Sequence, residues 1–214
     1  MISPILNDVV SGRAPELMTF TVEQYHQLTE SGVLLEGSPV ELIDGVIVRK
    51  DRRDAKGSIM NHGPQHASTL TQLFQHLDRG TDSAGCHVRC QLPVTLSSDT
   101  EPEPDLAIVS GKPPLFFNRH PGPSELLAVV EIAYSSRSYD QTTKQRLYAA
   151  ANIAVYWIVN LSKNCVEIYE KPDPASAVYQ SMTVVDANGV ARMPCGDGNT
   201  LSVPLTDFLP PTTK

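Results

Sequence analysis

The sequence predicts an α/β fold of the α+β kind, and three observations predict it. Residues Leu126 to Asn160 read strand, helix, strand. Two turn pairs, Asp44-Gly45 and Asn188-Gly189, stand between β-rich arms, which is the signature of hairpins. Two further helical patterns begin at Thr21 and Pro64.

The central unit is the most informative. Leu126 to Tyr134 is a near-continuous apolar run, the pattern of a strand covered on both faces. Glu131 interrupts it, and a buried carboxylate is costly unless it is paired or binds a cation. By strand alternation Glu131 shares a face with Leu127, Val129 and Ala133. Ser138 and Gln141 then form a capping box for a helix expected over about Tyr139 to Ala151. Its apolar stripe includes Leu147, Tyr148 and Ala151, and helical spacing puts Lys144 on that stripe. Asn152 suits a left-handed stop. Ala154 to Asn160 is again apolar and carries the only tryptophan, Trp157.

The remaining elements follow in order. Residues 1–18 are expected to be loosely ordered, 19–209 to form one domain, and 210–214 to be a tail. Thr21 caps the pattern TVEQYHQLTE, with Gln24 at the third position. VELIDGVIV at 40–48 is a hairpin. The basic run Arg49 to Lys56 reads as a solvated loop, with a phosphate-contacting arm as the alternative. Pro64 opens a helix whose stripe is His66, Leu70, Leu73 and Leu77. Gly63-Pro64 between His62 and His66 argues against a shared metal on one helical turn. Gly85 to Leu96 and Asp105 to Val109 read as strands, and Gly111 to Ser124 as a loop. Strands are expected near 164–170, 178–185 and 190–193, with a short turn after Leu205.

Composition narrows the function classes. The net charge of −7 excludes a whole-chain basic footprint for nucleic acid. It does not exclude a metal-dependent nuclease, whose site is acidic until loaded. No run of ~18 apolar residues predicts a membrane span. MISPILNDVV lacks the basic start of a secretory leader, so the cytoplasm is the expected location. Cys86 and Cys90 lie roughly 13 Å apart if both are on one strand, too far to share a metal or a disulfide. The four cysteines read as free thiols. G-x-S-x-G, G-x-G-x-x-G, P-loop, H-E-x-x-H and C-x-x-C motifs are all missing.

Three carboxylates stand at unusual places. Glu41 interrupts a hairpin arm, Asp105 opens an apolar strand, and Glu131 lies inside one. If the strands of Asp105 and Glu131 are neighbours, the two acids meet near one sheet edge. Mg²⁺ takes oxygen ligands and usually one or two carboxylates. Asp105, Glu131 and the Ile132 backbone carbonyl would supply such a set, with Lys144 placed to assist a water or a phosphate. A purely structural arrangement stays open beside it. There Glu131 pairs with Lys144, Asp105 caps a turn, Glu41 faces solvent, and Asp140 favours the helix N-terminus and pairs with Lys144.

The order of these motifs resembles the Uma-two family of restriction endonuclease-like proteins, within the PD-(D/E)XK nuclease superfamily. The matching stretches are VELIDGVIV at 40–48, His66 opening a helix, PDLAIV at 104–109 and VVEIAYSSRSYDQTTKQRLYAAANIAVYWIVN at 129–160. The resemblance covers about residues 19–209 and implies a restriction-endonuclease-like mixed β-sheet flanked by helices, with additional hairpins. It implies metal-dependent phosphodiester hydrolysis, with Asp105 and Glu131 as the motif's acids. The superfamily's usual lysine would fall at Ala133, and here its place passes to Lys144 on the following helix. Glu41 matches the family's early acid, Gln91 is placed near the site, and His66 and Asp140 match positions common in the family. The chain departs at Asn152 and Val155, where the family often has glycine and glutamate, and at Asn160, where aspartate is frequent.

Two functions follow as expectations. The first is a Mg²⁺- or Mn²⁺-dependent DNA endonuclease using Asp105, Glu131 and Lys144, with homodimerisation implied by the resemblance. The second is a catalytically silent nuclease-like fold that binds nucleic acid or protein.

Overall fold

The computed structural model describes residues 8–9, 11–13, 17–35, 37–50, 63–81, 84–133, 139–196 and 198–211. The predicted cap Ser138, the neighbouring Ser135 and Ser136, His62 and the basic run beyond Lys50 lie outside them, as does most of 1–18.

Helix α1 (Val22–Glu30) opens on the expected capping box. Gln24 N–H donates to Thr21 Oγ1 at 3.2 Å, and Thr21 N–H to Gln24 Oε1 at 2.9 Å. Strands β1 (Val40–Ile43) and β2 (Val46–Arg49) form the predicted hairpin. Its turn requires positive φ at both central residues, and Asp44 (48°) and Gly45 (74°) supply it. Helix α2 (Pro64–Thr81) follows, with Leu70, Leu73 and Leu77 buried along its stripe.

The main sheet has six strands in chain order: β3 (Cys86–Cys90), β4 (Leu106–Ser110), β5 (Leu126–Ala133), β6 (Val155–Asn160), β7 (Cys165–Asp173) and β8 (Val178–Asp186). All neighbours are antiparallel except β5 and β6, so the sheet is mixed, as expected. A parallel pair needs a crossover. Here a π-helical turn, Asp140–Lys144, running into α3 (Gln145–Ala150), lies between β5 and β6 in the chain.

The sheet is covered on both faces. Helix α2 packs Leu70, Leu73 and Leu77 on one face, with Ile108, Val130 and Trp157 from the sheet. The two-stranded ribbon β9 (Val190–Pro194) and β10 (Thr200–Pro204) completes that side with Met193 and Val203. On the other face Tyr148 and Ala149 of α3 meet Val129, Ala133, Tyr156 and Ile158. This double cover explains the unbroken apolar reading of β5 and β6. Cys86, Cys90, Cys165 and Cys195 carry free thiols. Among the described residues no helix is long and apolar enough to cross a membrane.

The structure corrects three details. The strand expected over 85–96 stops at Cys90, because Gln91 takes a left-handed φ of 50° and turns the chain out of the ladder. Leu127 does not share the Glu131 face. The β4–β5 register shifts between Ile108 and Val109, and beyond that bulge Leu127 packs with the α2 side. Asn188-Gly189 makes a turn, but not a hairpin between paired strands: β8 belongs to the main sheet, while β9 pairs with β10. Near the end of the chain Phe208 and Leu209 are buried, and Thr69 Oγ1 donates to the Phe208 carbonyl at 3.1 Å.

Candidate active site

The antiparallel register pairs Leu106 with Val130, so the next residues, Asp105 and Glu131, fall opposite each other just where β4 begins. Three donors hold the Asp105 carboxylate. Ile132 N–H donates to Oδ2 at 2.8 Å, His66 Nε2 lies 3.2 Å from Oδ2, and Gln91 Nε2 donates to Oδ1 at 3.2 Å. Gln91 N–H also donates to the Asp105 carbonyl at 3.0 Å. The left-handed bend at Gln91 therefore serves the site: it aims both the backbone and the side chain of one residue at Asp105. Asp105 does not cap a turn.

Lys144 closes the other side. Its Nζ donates to Glu41 Oε1 at 2.6 Å and lies 3.3 Å from Glu131 Oε1. Glu41 faces inward, not to solvent, and also accepts from the Glu103 N–H at 2.8 Å. Tyr148, one helical turn beyond Lys144, donates its hydroxyl to Glu131 Oε1 at 2.8 Å. Arg146 pairs with Asp44 in the hairpin turn, so the π-helical turn and α3 are each tied to the β1–β2 hairpin.

The π-helical turn has a visible cause. The Asp140 carbonyl accepts the Gln145 N–H five residues on and also the Tyr156 hydroxyl at 3.1 Å. Gln141 donates to Glu167, which also accepts from Asn160 Nδ2 at 3.0 Å and Tyr169 Oη at 3.0 Å. That buried network anchors the turn carrying Lys144.

The electrostatics are those of crowded buried acids. Burial raises the Glu131 pKa to about 8; Lys144 opposes the rise, while Asp140, Asp105 and Glu41 add to it. For Asp105 burial acts upward too, but the His66 contact, the Ile132 N–H and Gln91 outweigh it and hold the carboxyl below its ordinary value. Burial alone would lower Lys144; Glu131 and Glu41 overcome it and keep the ammonium charged. Lys144 thus stays charged, and burial makes Glu131 hold a proton more tightly than a free carboxyl does.

The predicted residues Asp105, Glu131, Lys144, Glu41, His66 and Gln91 therefore converge in one connected network. Asp140 is buried beside it and raises Glu131. Ile132 enters through its N–H. A strand residue presents N–H and C=O along the same edge, so its carbonyl faces the space beyond the start of β4 as well. Sequence reasoning missed the role of Tyr148, which it counted only as core. The i, i+4 spacing from Lys144 was the available signal. It also missed that His26, Glu101 and His120, side chains of types that can hold a metal ion, stand together, which no spacing connects.

A family model described as "Uma2: Putative restriction endonuclease" matches residues 22–203, well over half of the chain. No curated protein sequence matches. Among solved structures, the chain is similar to one described as a "putative nuclease" from Anabaena variabilis, at 18% identity and a TM-score of 0.59, covering 82% of this chain and 89% of that one. At that identity the likeness speaks to the fold, and it matches the mixed sheet with flanking helices described above. On the family match, the chain belongs to the Uma2 family.

Proposed function

We propose that this protein is a divalent-metal-dependent endonuclease that hydrolyses DNA phosphodiester bonds. The observation that carries this reading is the convergence of Asp105, Glu131 and Lys144 from a strand start, a buried strand and a crossover turn. Asp105, Glu131 and the Ile132 carbonyl make an all-oxygen donor set at one sheet edge, which suits Mg²⁺ or Mn²⁺. The donor chemistry also fits because the half-buried Asp105 and the buried Glu131, Glu41 and Asp140 outnumber Lys144 and His66. A bound ion would polarise the phosphoryl oxygen and make water a better nucleophile.

The chain's own residues do the rest. Lys144 has three N–H donors and spends two directions on Glu41 and Glu131. The third is available to orient the attacking water or to neutralise charge growing on the phosphate. Glu41 and Tyr148 hold Lys144 and Glu131 in place, and His66 with Gln91 fixes Asp105. One observation favours the silent-module reading instead: Lys144 and Glu131 are 4% and 7% exposed and already paired.

A thermal titration separates the two. The nuclease reading expects Mg²⁺ or Mn²⁺ to raise Tm in the wild type and not in Asp105→Asn. A wild type that folds normally and shows no shift at millimolar metal favours the silent module.

A further inference from the structure

Outside the Asp105–Glu131 network, His26 of α1, Glu101 and His120 of the β4–β5 loop each offer a ligand atom, and these atoms lie within 4.8 Å of one another. Glu101 is fixed in place: its side chain is 2% exposed, Oε1 lies 2.6 Å from His26 Nε2, and Oε2 accepts from Thr95 Oγ1 at 2.6 Å. Its N–H donates to the Leu42 carbonyl at 2.7 Å. The two imidazole rings meet edge to face with centroids 5.9 Å apart. The His26 side chain is 43% exposed, which gives an ion a way in from solvent.

We infer that His26, Glu101 and His120 form a second cation site, for a transition metal of the zinc class, which clips α1 to the body of the protein. Two imidazoles and one carboxylate suit zinc, where the all-oxygen set at Asp105 and Glu131 suits magnesium. Ligands about 2.0–2.2 Å from a tetrahedral ion stand about 3.4 Å from one another, so the His26–Glu101 contact opens by about 0.8 Å on binding. Thr95 orients the carboxylate from behind, as an outer partner does in such sites. Arg89 Nη2 now donates to His120 Nδ1 at 3.2 Å, and it also reaches the Pro93 carbonyl at 3.4 Å. The second bond remains when a cation takes the imidazole lone pair, although the guanidinium charge weakens the site.

The clip has a structural reason. No residue of α1 is buried. The helix is held by the Val22 N–H on the Ser98 carbonyl at 2.8 Å, by Tyr25 Oη near the Val40 carbonyl at 3.4 Å and by the His26–Glu101 contact. A metal bridging His26 to the body replaces one hydrogen bond with three coordinate bonds.

The test uses the whole chain, stripped with EDTA and then exchanged into EDTA-free buffer that holds Mg²⁺ during every titration. Zn²⁺ is titrated calorimetrically and Co²⁺ is added as a spectroscopic probe. The expected result is one Zn²⁺ per chain, a cobalt spectrum without a thiolate charge-transfer band, and slower amide exchange in α1 when metal is bound. His26→Ala and His120→Ala should each weaken binding by about tenfold or more, and Asp105→Asn should not. A wild type that binds no stoichiometric Zn²⁺, a thiolate band, or affinity unchanged in both histidine variants overturns the inference. The wild-type spectrum decides even if a variant folds poorly.

Discussion

Lys144 and Glu41 are bonded at 2.6 Å across 103 positions of sequence, both nearly inaccessible to solvent. The contact joins the crossover turn to the first hairpin and holds the lysine beside Glu131. Removing the lysine leaves the buried Glu41 carboxylate without its cation and Glu131 without that neighbour. Lys144→Ala should therefore cost about 3–5 kcal/mol of stability. Lys144→Met combined with Glu41→Gln should recover part of it, because the unpaired charge and not the lost pair dominates. Urea unfolding of the two variants measures the difference.

Glu131 makes stability depend on pH in a defined direction. In the folded protein it keeps a proton up to about pH 8, while the unfolded chain releases it near 4.5. Its contribution is complete below about 4.5 and is lost as pH rises through about 8. In EDTA, unfolding free energy should fall across that window, and Glu131→Gln should flatten the profile there. An identical slope in the variant would remove Glu131 as the cause.

Asn160 is fully buried and donates to Glu167, while its own carbonyl oxygen accepts from Ser162 Oγ at 2.8 Å and Lys163 N–H at 3.0 Å. An aspartate, frequent in the family at this position, would set a second acid against Glu167. Asn160→Asp should cost about 1–3 kcal/mol at neutral pH, and acidification should reduce the penalty. Thermal melts at two pH values check both the size and the sign.

Local features were legible because local chemistry decides them. The Thr21–Gln24 box, the Asp44-Gly45 turn and the left-handed Asn152 (φ 58°) each follow from what those side chains do to their own backbone. Asn152→Ala should accordingly cost about 1–2 kcal/mol, since alanine has no easy access to that conformation; Asn152→Gly should not, and paired denaturation curves decide it. The site acids were legible because charge in an apolar strand is out of place. What stayed hidden depends on partners distant in sequence. Gln91 bends the chain because Asp105, just before β4, accepts from its N–H and from its side chain. Glu41 turns inward because Lys144 waits there. The bulge at Leu127 and the different sheets of β8 and β9 are set by sheet assembly, which alternation and turn signals do not encode. Strand β10, not foreseen, is short and exists only by pairing with β9.

Cleavage of supercoiled plasmid and of single-stranded DNA in Mg²⁺ or Mn²⁺, comparing wild type with Lys144→Ala and Glu131→Gln, decides whether Asp105, Glu131 and Lys144 form a nuclease site. The wild type should nick or linearise the plasmid, each variant should lose about 10²-fold or more, and EDTA should abolish the reaction. Equal cleavage by all three proteins, or none by a folded, metal-loaded wild type, would contradict the nuclease reading.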